Sequence, residues 1–517
     1  MRIIRDPERV EAYLKDASNL KNGMAEGVFI PESEAEIVEI LKKSSKEGTP
    51  TTIAGGLTGN VGGSIPAGGW VLSLEKFCSI IVIDHEKKTA LLQPGVHLKT
   101  LDQKAKHLGL FYPPDPTEQT ATIGGTVATN ASGSRSLIYG STRDWINRIR
   151  VILASGDILD IKRGQCLAIG KTFDLSHYVL RITHLDIPNY TIPNVKSSAG
   201  YYSKPNMDLI DLFIGSEGTL GVITEIEVKL LDLPLDIFDI VIFFKAEDAA
   251  VQFSAKLKSY KEPRIYSQVP SPLKQGSALL EEPETNLPSR SASAKQGVSV
   301  PNDILSIEYF DENSLKLLKP YYPNIPNYAK AAIYLEAEIT KETESSYLED
   351  WGKIIEESGA RLDDSWLGMN DQQKKHLKEF RHAMPEHINE EFKKHNTQKF
   401  ASDIAVPDKN FREMLDFYNQ EIEANKDKFL AVKFGHLGQS HLHVNLVPLS
   451  QEYIPLAKEI IMKFIKKGIA LGGTCSAEHG IGKLRREYLK EMYGEEGINE
   501  MRRIKQYFDP AGILNRG

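Results

Sequence analysis

The chain has 517 residues, enough for about three units at the usual domain size. Its net charge of -7 excludes the basic face that nucleic-acid binding needs, and 41% hydrophobic with 26% charged residues is the balance of an ordinary globular protein. The cysteines Cys78, Cys166 and Cys475 lie far apart and form no C-x-x-C pair, which excludes a disulfide framework and fits a reducing, cytoplasmic compartment. Met1 to Leu20 is charged throughout and lacks the apolar segment of a signal peptide. No apolar run approaches the roughly 20 residues of a membrane helix.

In chain order, residues 31–48 read as an amphipathic helix ending at Gly48. Strands are expected at Thr51–Ala54, Trp70–Leu74, Ile80–Ile83 and Thr89–Leu92, and a helix at Leu98–Leu108. Val151–Leu153 and Ile158–Ile161 flank Ser155-Gly156-Asp157, a hairpin turn. A second region opens after Pro234 with the β-branched strand Ile237–Phe244 and the helix Ala246–Tyr260. From about Ser267 to Asn302 the composition shifts to Ser, Pro, Gly and Gln, a long loop or insertion that is either a lid or a tolerated surface segment. Strand Ala331–Ala337 and helices Lys341–Ser358 and Asp371–His395 follow. The last stretch holds strands Phe429–Phe434 and Leu442–Val447, then helices Tyr453–Gly468 and Ile498–Tyr507.

Glycines concentrate in tracts. Thr52-Ile-Ala-Gly-Gly-Leu-Thr-Gly-Asn60 follows a strand, where glycines let backbone N–H groups approach an anion such as a pyrophosphate. The spacing of Gly56, Gly59 and Gly62 is not the dinucleotide fingerprint, and a turn alone explains such a loop equally well. It is not alone. A second tract runs through Tyr112-Pro-Pro-Asp-Pro116, Thr122-Ile-Gly-Gly-Thr126, Asn130-Ala-Ser-Gly133 and Tyr139-Gly-Ser-Thr-Arg-Asp144. A third is Gly215-Ser-Glu-Gly-Thr-Leu-Gly-Val-Ile-Thr224.

Histidines cluster too. Of 13, four (His436, His441, His443 and His479) fall within residues 436–479, where even spacing would put about one. Alternation along the strand puts His441, His443 and Asn445 on one face, and Gly435 and Gly438 allow a bend that returns His436 to it. Glu478 and His479 follow in Cys475-Ser-Ala-Glu-His-Gly-Ile-Gly482. Imidazoles with a carboxylate suit a divalent Zn, Mn or Fe, and polar core histidines are the plainer alternative. A P-loop reading of Ala477–Leu484 fails, because the first glycine is missing and Leu484 replaces Ser/Thr.

These tracts, in this order and with the terminal Asp509-Pro-Ala-Gly-Ile-Leu-Asn515, resemble the FAD-linked oxidase family related to vanillyl-alcohol oxidase. The branch is that of D-lactate dehydrogenase, the flavin-binding chain of glycolate oxidase, and D-2-hydroxyglutarate dehydrogenase, and the resemblance spans Pro31 to Gly517. It implies an α+β fold: a PCMH-type two-part FAD-binding domain, a split α+β cap over the flavin ring, and a helical C-terminal segment returning to the flavin. On this chain those are residues 1–233, 234–450 and 451–517.

The resemblance further implies FAD held by Gly55, Gly56, Leu57, Thr58, Gly59 and Asn60 at the pyrophosphate, with Pro114, Thr122, Gly124, Gly125, Asn130, Gly133, Gly218, Val222, Ile223 and Asn515 along the rest. The FAD is expected to be non-covalent, since no histidine sits within Gly55–Gly59. By the same resemblance His436, His443 and Glu478 match metal ligands, Asn445 a substrate contact, His479 the catalytic base and Arg381 the clamp of a substrate carboxylate. A small D-2-hydroxy acid is the implied substrate. An electron-transferring flavoprotein, a quinone or a cytochrome is the implied acceptor. A homodimer and a place peripheral to a membrane are compatible with it. Gln439, Ser440 and His441 depart from the family's Asp, Gly and Asn, leaving His441 as an extra ligand or a substrate contact. Pro385 and Ala401 stand where hydroxyglutarate dehydrogenases carry Thr and Lys, which argues against that dicarboxylate. The alternatives are a related flavoenzyme acting on another alcohol, and a flavin-bearing electron-transfer subunit without its own substrate.

Overall fold

The computed structural model describes residues 1–178, 183–259, 304–339, 347–397 and 399–516. The Ser/Pro-rich segment at 267–302 lies outside the described residues.

Among the described residues the N-terminal half carries two short two-stranded sheets, Thr172–Asp174 with His184–Asp186 and Leu110–Phe111 with Leu231–Asp232, and two larger ones. One orders Arg2–Ile4, Gly27–Ile30, Trp70–Ser73 and Thr51–Ala54, with Trp70–Ser73 parallel to both neighbours. The first two of these strands, at the chain's start, are not among those expected from the sequence. The other sheet is antiparallel and orders Ile80–Asp84, Thr89–Leu92, Val222–Lys229, Ile146–Ile152 and Ile158–Lys162. The expected first helix runs Glu34–Glu47. Its Ser33 hydroxyl accepts the Glu36 N–H at 3.4 Å, and Gly48 ends it with φ of 68°. Such a cap contributes about 1 kcal/mol. Buried Ile37, Ile40 and Leu41 then pack on Ile152, Val222, Ile513 and Leu514, joining both sheets and the C-terminus in one core.

The second half is built on an eight-stranded sheet that orders Trp366–Leu367, Asp236–Phe244, Ala331–Ile339, Ile304–Asp311, Phe429–Gly435, His441–Pro448 and Phe400–Ala401, with Ile404–Ala405 paired to His441–Pro448. The apolar run at Ile237–Phe244 is explained by burial on both faces. Ile240, Ile242 and Phe244 meet one helical layer through residues such as Phe253, Trp351 and Phe464, while Val241 and Phe243 meet the other through Phe380 and Met384. Strand Ile304–Asp311, which abuts the undescribed segment, had no sequence assignment and proves central.

Several helices differ from expectation, and Glu312–Leu318 and Phe411–Ala424 had no sequence assignment. Tyr347–Glu357 stands where Lys341–Ser358 was expected, with 340–346 outside the described residues. The terminal helix starts early, at Arg486, and kinks at Gly494, whose φ is 66°. Such a break resets the helical periodicity that sequence reading relies on. Thr122–Gly125, read as a glycine loop, opens a helix, Ile123–Thr129, because the Thr122 hydroxyl accepts the Gly125 N–H at 3.3 Å and Asn130 closes it with φ of 49°.

Asp239 interrupts the buried strand. Its Oδ1 accepts the Tyr334 hydroxyl at 2.8 Å and its Oδ2 has no hydrogen-bond partner among the described residues, while Glu336 faces it across the ladder. Burial, then Glu336, pushes its carboxyl up to about 6. A raised carboxyl stabilises the fold fully below its unfolded value and loses that stabilisation as pH rises through the folded one. We therefore expect the melting temperature of Asp239→Asn to gain on that of wild type between pH 5 and pH 7 and then to run parallel. A constant difference across that range would contradict the assignment.

Candidate active site

A cavity runs between the N-terminal sheets and the cap. It is lined by Gly55, Gly56, Leu57, Thr58, Gly59, Asn60, Thr122, Gly124, Gly125, Gly133, Gly218, Ile223 and Asn515 among the expected cofactor residues, and by His436, Glu478 and His479 at one end. Pro114, Asn130 and Val222 are not in that lining. Asn130 instead caps a helix and its Oδ1 accepts the Arg143 N–H at 3.0 Å, while Val222 lies in the core that joins the two sheets.

Some of the lining glycines have no room for a side chain. A Cβ on Gly133 would lie 1.7 Å from the Asp115 carbonyl, and one on Gly124 would lie 2.4 Å from Pro94. Rich in glycine along its lining, the cavity lets a ligand lie close to backbone, as a dinucleotide's pyrophosphate needs. Gly59 is different: a Cβ there meets nothing within 4 Å and points into open space. Gly59→Leu should fold with an unchanged apo melting temperature and bind FAD at least about tenfold more weakly, about 1.4 kcal/mol, by fluorescence titration. Unchanged affinity would place the cofactor elsewhere.

The C-terminus reaches this cavity. The Thr51 N–H donates to the Ile513 carbonyl at 2.8 Å, and the Asn515 N–H to the Thr51 carbonyl at 3.0 Å. Asn515 also accepts the Ile53 N–H at 2.8 Å and donates to the Glu217 carbonyl at 2.6 Å. Glu217, within the third glycine tract, accepts the N–H groups of Ile481 and Gly482, each at 2.7 Å. That carboxylate holds the Glu478–Gly482 turn against the cavity.

At the cavity's end the histidines converge. Strand Phe429–Gly435 leads into Gly435, whose φ of 124° turns the chain so that His436 faces His441 and His443 on the next strand. His436 Nε2 and His443 Nε2 lie 3.2 and 3.1 Å from the same Glu478 oxygen, Oε1. One ring nitrogen each of His436, His441 and His443 and one Glu478 oxygen all lie within 4.8 Å of one another. Asp403, His443, Glu478 and His479 form a second such set. Buried imidazoles and a carboxylate converging on one point fit a divalent ion.

Charge around the cluster is dense. Lys196 places its ammonium 2.6 Å from Glu478 Oε2. Against the cost of burial, Lys196 and His436 hold the Glu478 carboxyl well below its usual range. Glu308 accepts His436 Nδ1–H at 2.7 Å and meets Arg381 at 3.5 Å. It is buried, which opposes ionisation, yet His436 and Arg381 hold it down to about 2. Burial pushes the His441 imidazole down to about 3.

Asp403 organises the other side. Its Oδ1 accepts His441 Nε2–H at 2.9 Å; its Oδ2 accepts the Ser476 hydroxyl at 2.8 Å, the His479 backbone N–H at 3.0 Å and Arg485 at 2.6 Å. His479 Nδ1 faces that oxygen at 3.3 Å, and its ring stacks on His443 at 5.1 Å between centroids. The His479 Nε2 is thus turned away from Asp403.

Arg381 is brought to the cluster through Glu308, but it does not line the cavity. Its side chain is 7% exposed, and its Nε lies 3.5 Å from Glu308 Oε2 without a hydrogen-bond partner among the described residues. Asn445 is also outside the cavity lining, buried with its Oδ1 lacking a hydrogen-bond partner among the described residues. Of the departing residues, Gln439 accepts the Ser136 hydroxyl at 2.5 Å, and Ser440 takes φ of 52°. Sequence reasoning missed Asp403, Glu308 and Lys196, which no spacing links to the histidines. Glu217 stood in a motif already singled out.

Comparison with known proteins places this arrangement. The profile of an FAD binding domain matches residues 25–162, and that of the FAD linked oxidases, C-terminal domain, matches residues 293–517. The chain is 28% identical to glycolate oxidase subunit GlcD of Bacillus subtilis (strain 168), over 98% of this chain and 91% of that one. It is 29% identical to the D-lactate dehydrogenase of Anaerostipes hadrus, over 94% and 87%. It is 25% identical to the D-2-hydroxyglutarate dehydrogenase of Stutzerimonas stutzeri (strain A1501), over 100% and 95%. Solved structures of alkyldihydroxyacetonephosphate synthase superpose with TM-scores of 0.63 and 0.64 at 17% and 16% identity, covering 99% of this chain and 81% and 83% of theirs. The chain carries an FAD binding domain and the C-terminal domain of FAD linked oxidases, and it has a PCMH-type α+β fold. It is an FAD-linked oxidoreductase, and FAD is its cofactor. No helix among the described residues is long and apolar enough to cross a membrane.

Proposed function

We propose that the chain is an FAD-dependent dehydrogenase that oxidises a small D-2-hydroxy acid, of the size of D-lactate, to the 2-oxo acid with the help of a divalent metal. One observation carries the reading: the turn bearing Glu478 and His479 lines the same cavity as the glycine loops, which supports a flavin ring lying beside the histidine cluster. The relatives named for D-lactate and glycolate oxidation support the substrate class.

His436, His443 and Glu478 would hold the ion. When bound, the metal lowers the pKa of the substrate hydroxyl and the flavin N5 accepts the hydride. The residues do the rest. Arg381, which Glu308 holds beside the cluster and outside the cavity lining, would bind the substrate carboxylate with its planar guanidinium by turning toward the cavity. Asn445, through its unpartnered buried oxygen, contacts the substrate. His479 takes the hydroxyl proton; its Nδ1 side is occupied by Asp403, so Nε2 is the atom that receives it. An electron acceptor, either another flavoprotein, a quinone or a cytochrome, must reoxidise the flavin.

Dye-linked turnover with D-lactate, glycolate, D-2-hydroxyglutarate and the L-isomers tests the reading. D-lactate or a close homologue should turn over best, with the L-isomer at least about a hundredfold slower, which corresponds to about 2.7 kcal/mol of transition-state discrimination. No turnover with any 2-hydroxy acid would overturn it.

A further inference from the structure

We infer that His441 is a fourth protein ligand to the metal, with Asp403 as the carboxylate that orients it. The inference rests on the proposed metal reading and adds a residue to it. The His441 side chain is fully buried. Its Nε2–H donates to Asp403 Oδ1 at 2.9 Å, which fixes the tautomer, since a carboxylate can only accept. The lone pair is therefore on Nδ1, and that atom is buried with no hydrogen-bond partner among the described residues. An acceptor nitrogen left this way costs free energy unless something coordinates it. The His441 ring lies 4.6 Å from that of His443 and 5.1 Å from that of His436, and the ligand atoms of all three with Glu478 lie within 4.8 Å of one another.

The surroundings repeat themselves. His436 directs Nδ1–H at Glu308 (2.7 Å) and Nε2 at the cluster, while His441 directs Nε2–H at Asp403 and Nδ1 away from it. Each imidazole is backed by a buried carboxylate, the arrangement that fixes ring orientation and raises ligand basicity in metal sites. Three imidazoles and one carboxylate close a tetrahedral ion completely. The substrate hydroxyl needs at least one more position. The set therefore suits an ion that takes more than four ligands, such as Mn2+, Fe2+ or Co2+, rather than a strictly tetrahedral zinc.

The test uses the FAD-loaded full chain, stripped of metal and titrated with Co2+. Wild type should bind one Co2+, and His441→Asn should bind it at least about tenfold more weakly with an altered visible spectrum. FAD content and melting temperature of the metal-free proteins should match. Equal affinity and a superimposable spectrum would overturn the role of His441 while leaving the metal reading intact. No Co2+ binding by wild type would overturn both. X-ray absorption on wild-type protein with Co2+ gives an answer independent of the variant: three imidazoles are expected, and two would overturn the inference.

Discussion

Replacing His479 by asparagine should slow flavin reduction by the best 2-hydroxy acid about a thousandfold, with FAD still bound. Asparagine keeps a polar side chain on the turn but cannot take a proton. The turn itself is held by other contacts: Asp403 accepts the backbone N–H of residue 479 at 3.0 Å, and Glu217 accepts those of Ile481 and Gly482 at 2.7 Å. The substitution should therefore remove the base without moving Glu478. Stopped-flow absorbance of the variant against wild type measures the effect. An unchanged rate would remove His479 from the reaction.

His443→Asn should release the metal and slow flavin reduction to the level of chelator-treated wild type, roughly a hundredfold or more below the loaded enzyme. His443 Nε2 meets the same Glu478 oxygen as His436 does, so its loss removes one of the imidazoles that converge with that carboxylate. Added divalent ion should restore the chelated wild type and fail to restore His443→Asn. Full activity of wild type after chelation would show that the cluster is a polar core and not a metal site.

The glycine tracts were legible in sequence because their constraint is local. Gly124 and Gly133 have no room for a Cβ, and that requirement is written as glycine. His441 and His443 were legible for the same reason, as strand alternation alone puts them on one face. The polar groups behind them were not. Glu308 and Asp403 come from strand Ile304–Asp311 and from the turn between Phe400–Ala401 and Ile404–Ala405, and only the order of the eight-stranded sheet brings them to His436 and His441. Lys196 comes from the other half of the molecule altogether. The early start of the terminal helix was hidden by Gly494, which a helical pattern does not anticipate. Arg381 was placed by resemblance, and its contact with buried Glu308 could not be foreseen from the helix it sits on.

The central claim is that the flavin and the histidine cluster act on one substrate. An anaerobic absorbance titration tests it most directly, with the same protein metal-loaded and metal-stripped and D-lactate as the first reductant. The account predicts that the flavin band of the loaded protein bleaches stoichiometrically, and that the stripped protein bleaches far more slowly until metal is returned. Bleaching at equal rates in both forms, or in neither with any D-2-hydroxy acid, would contradict it.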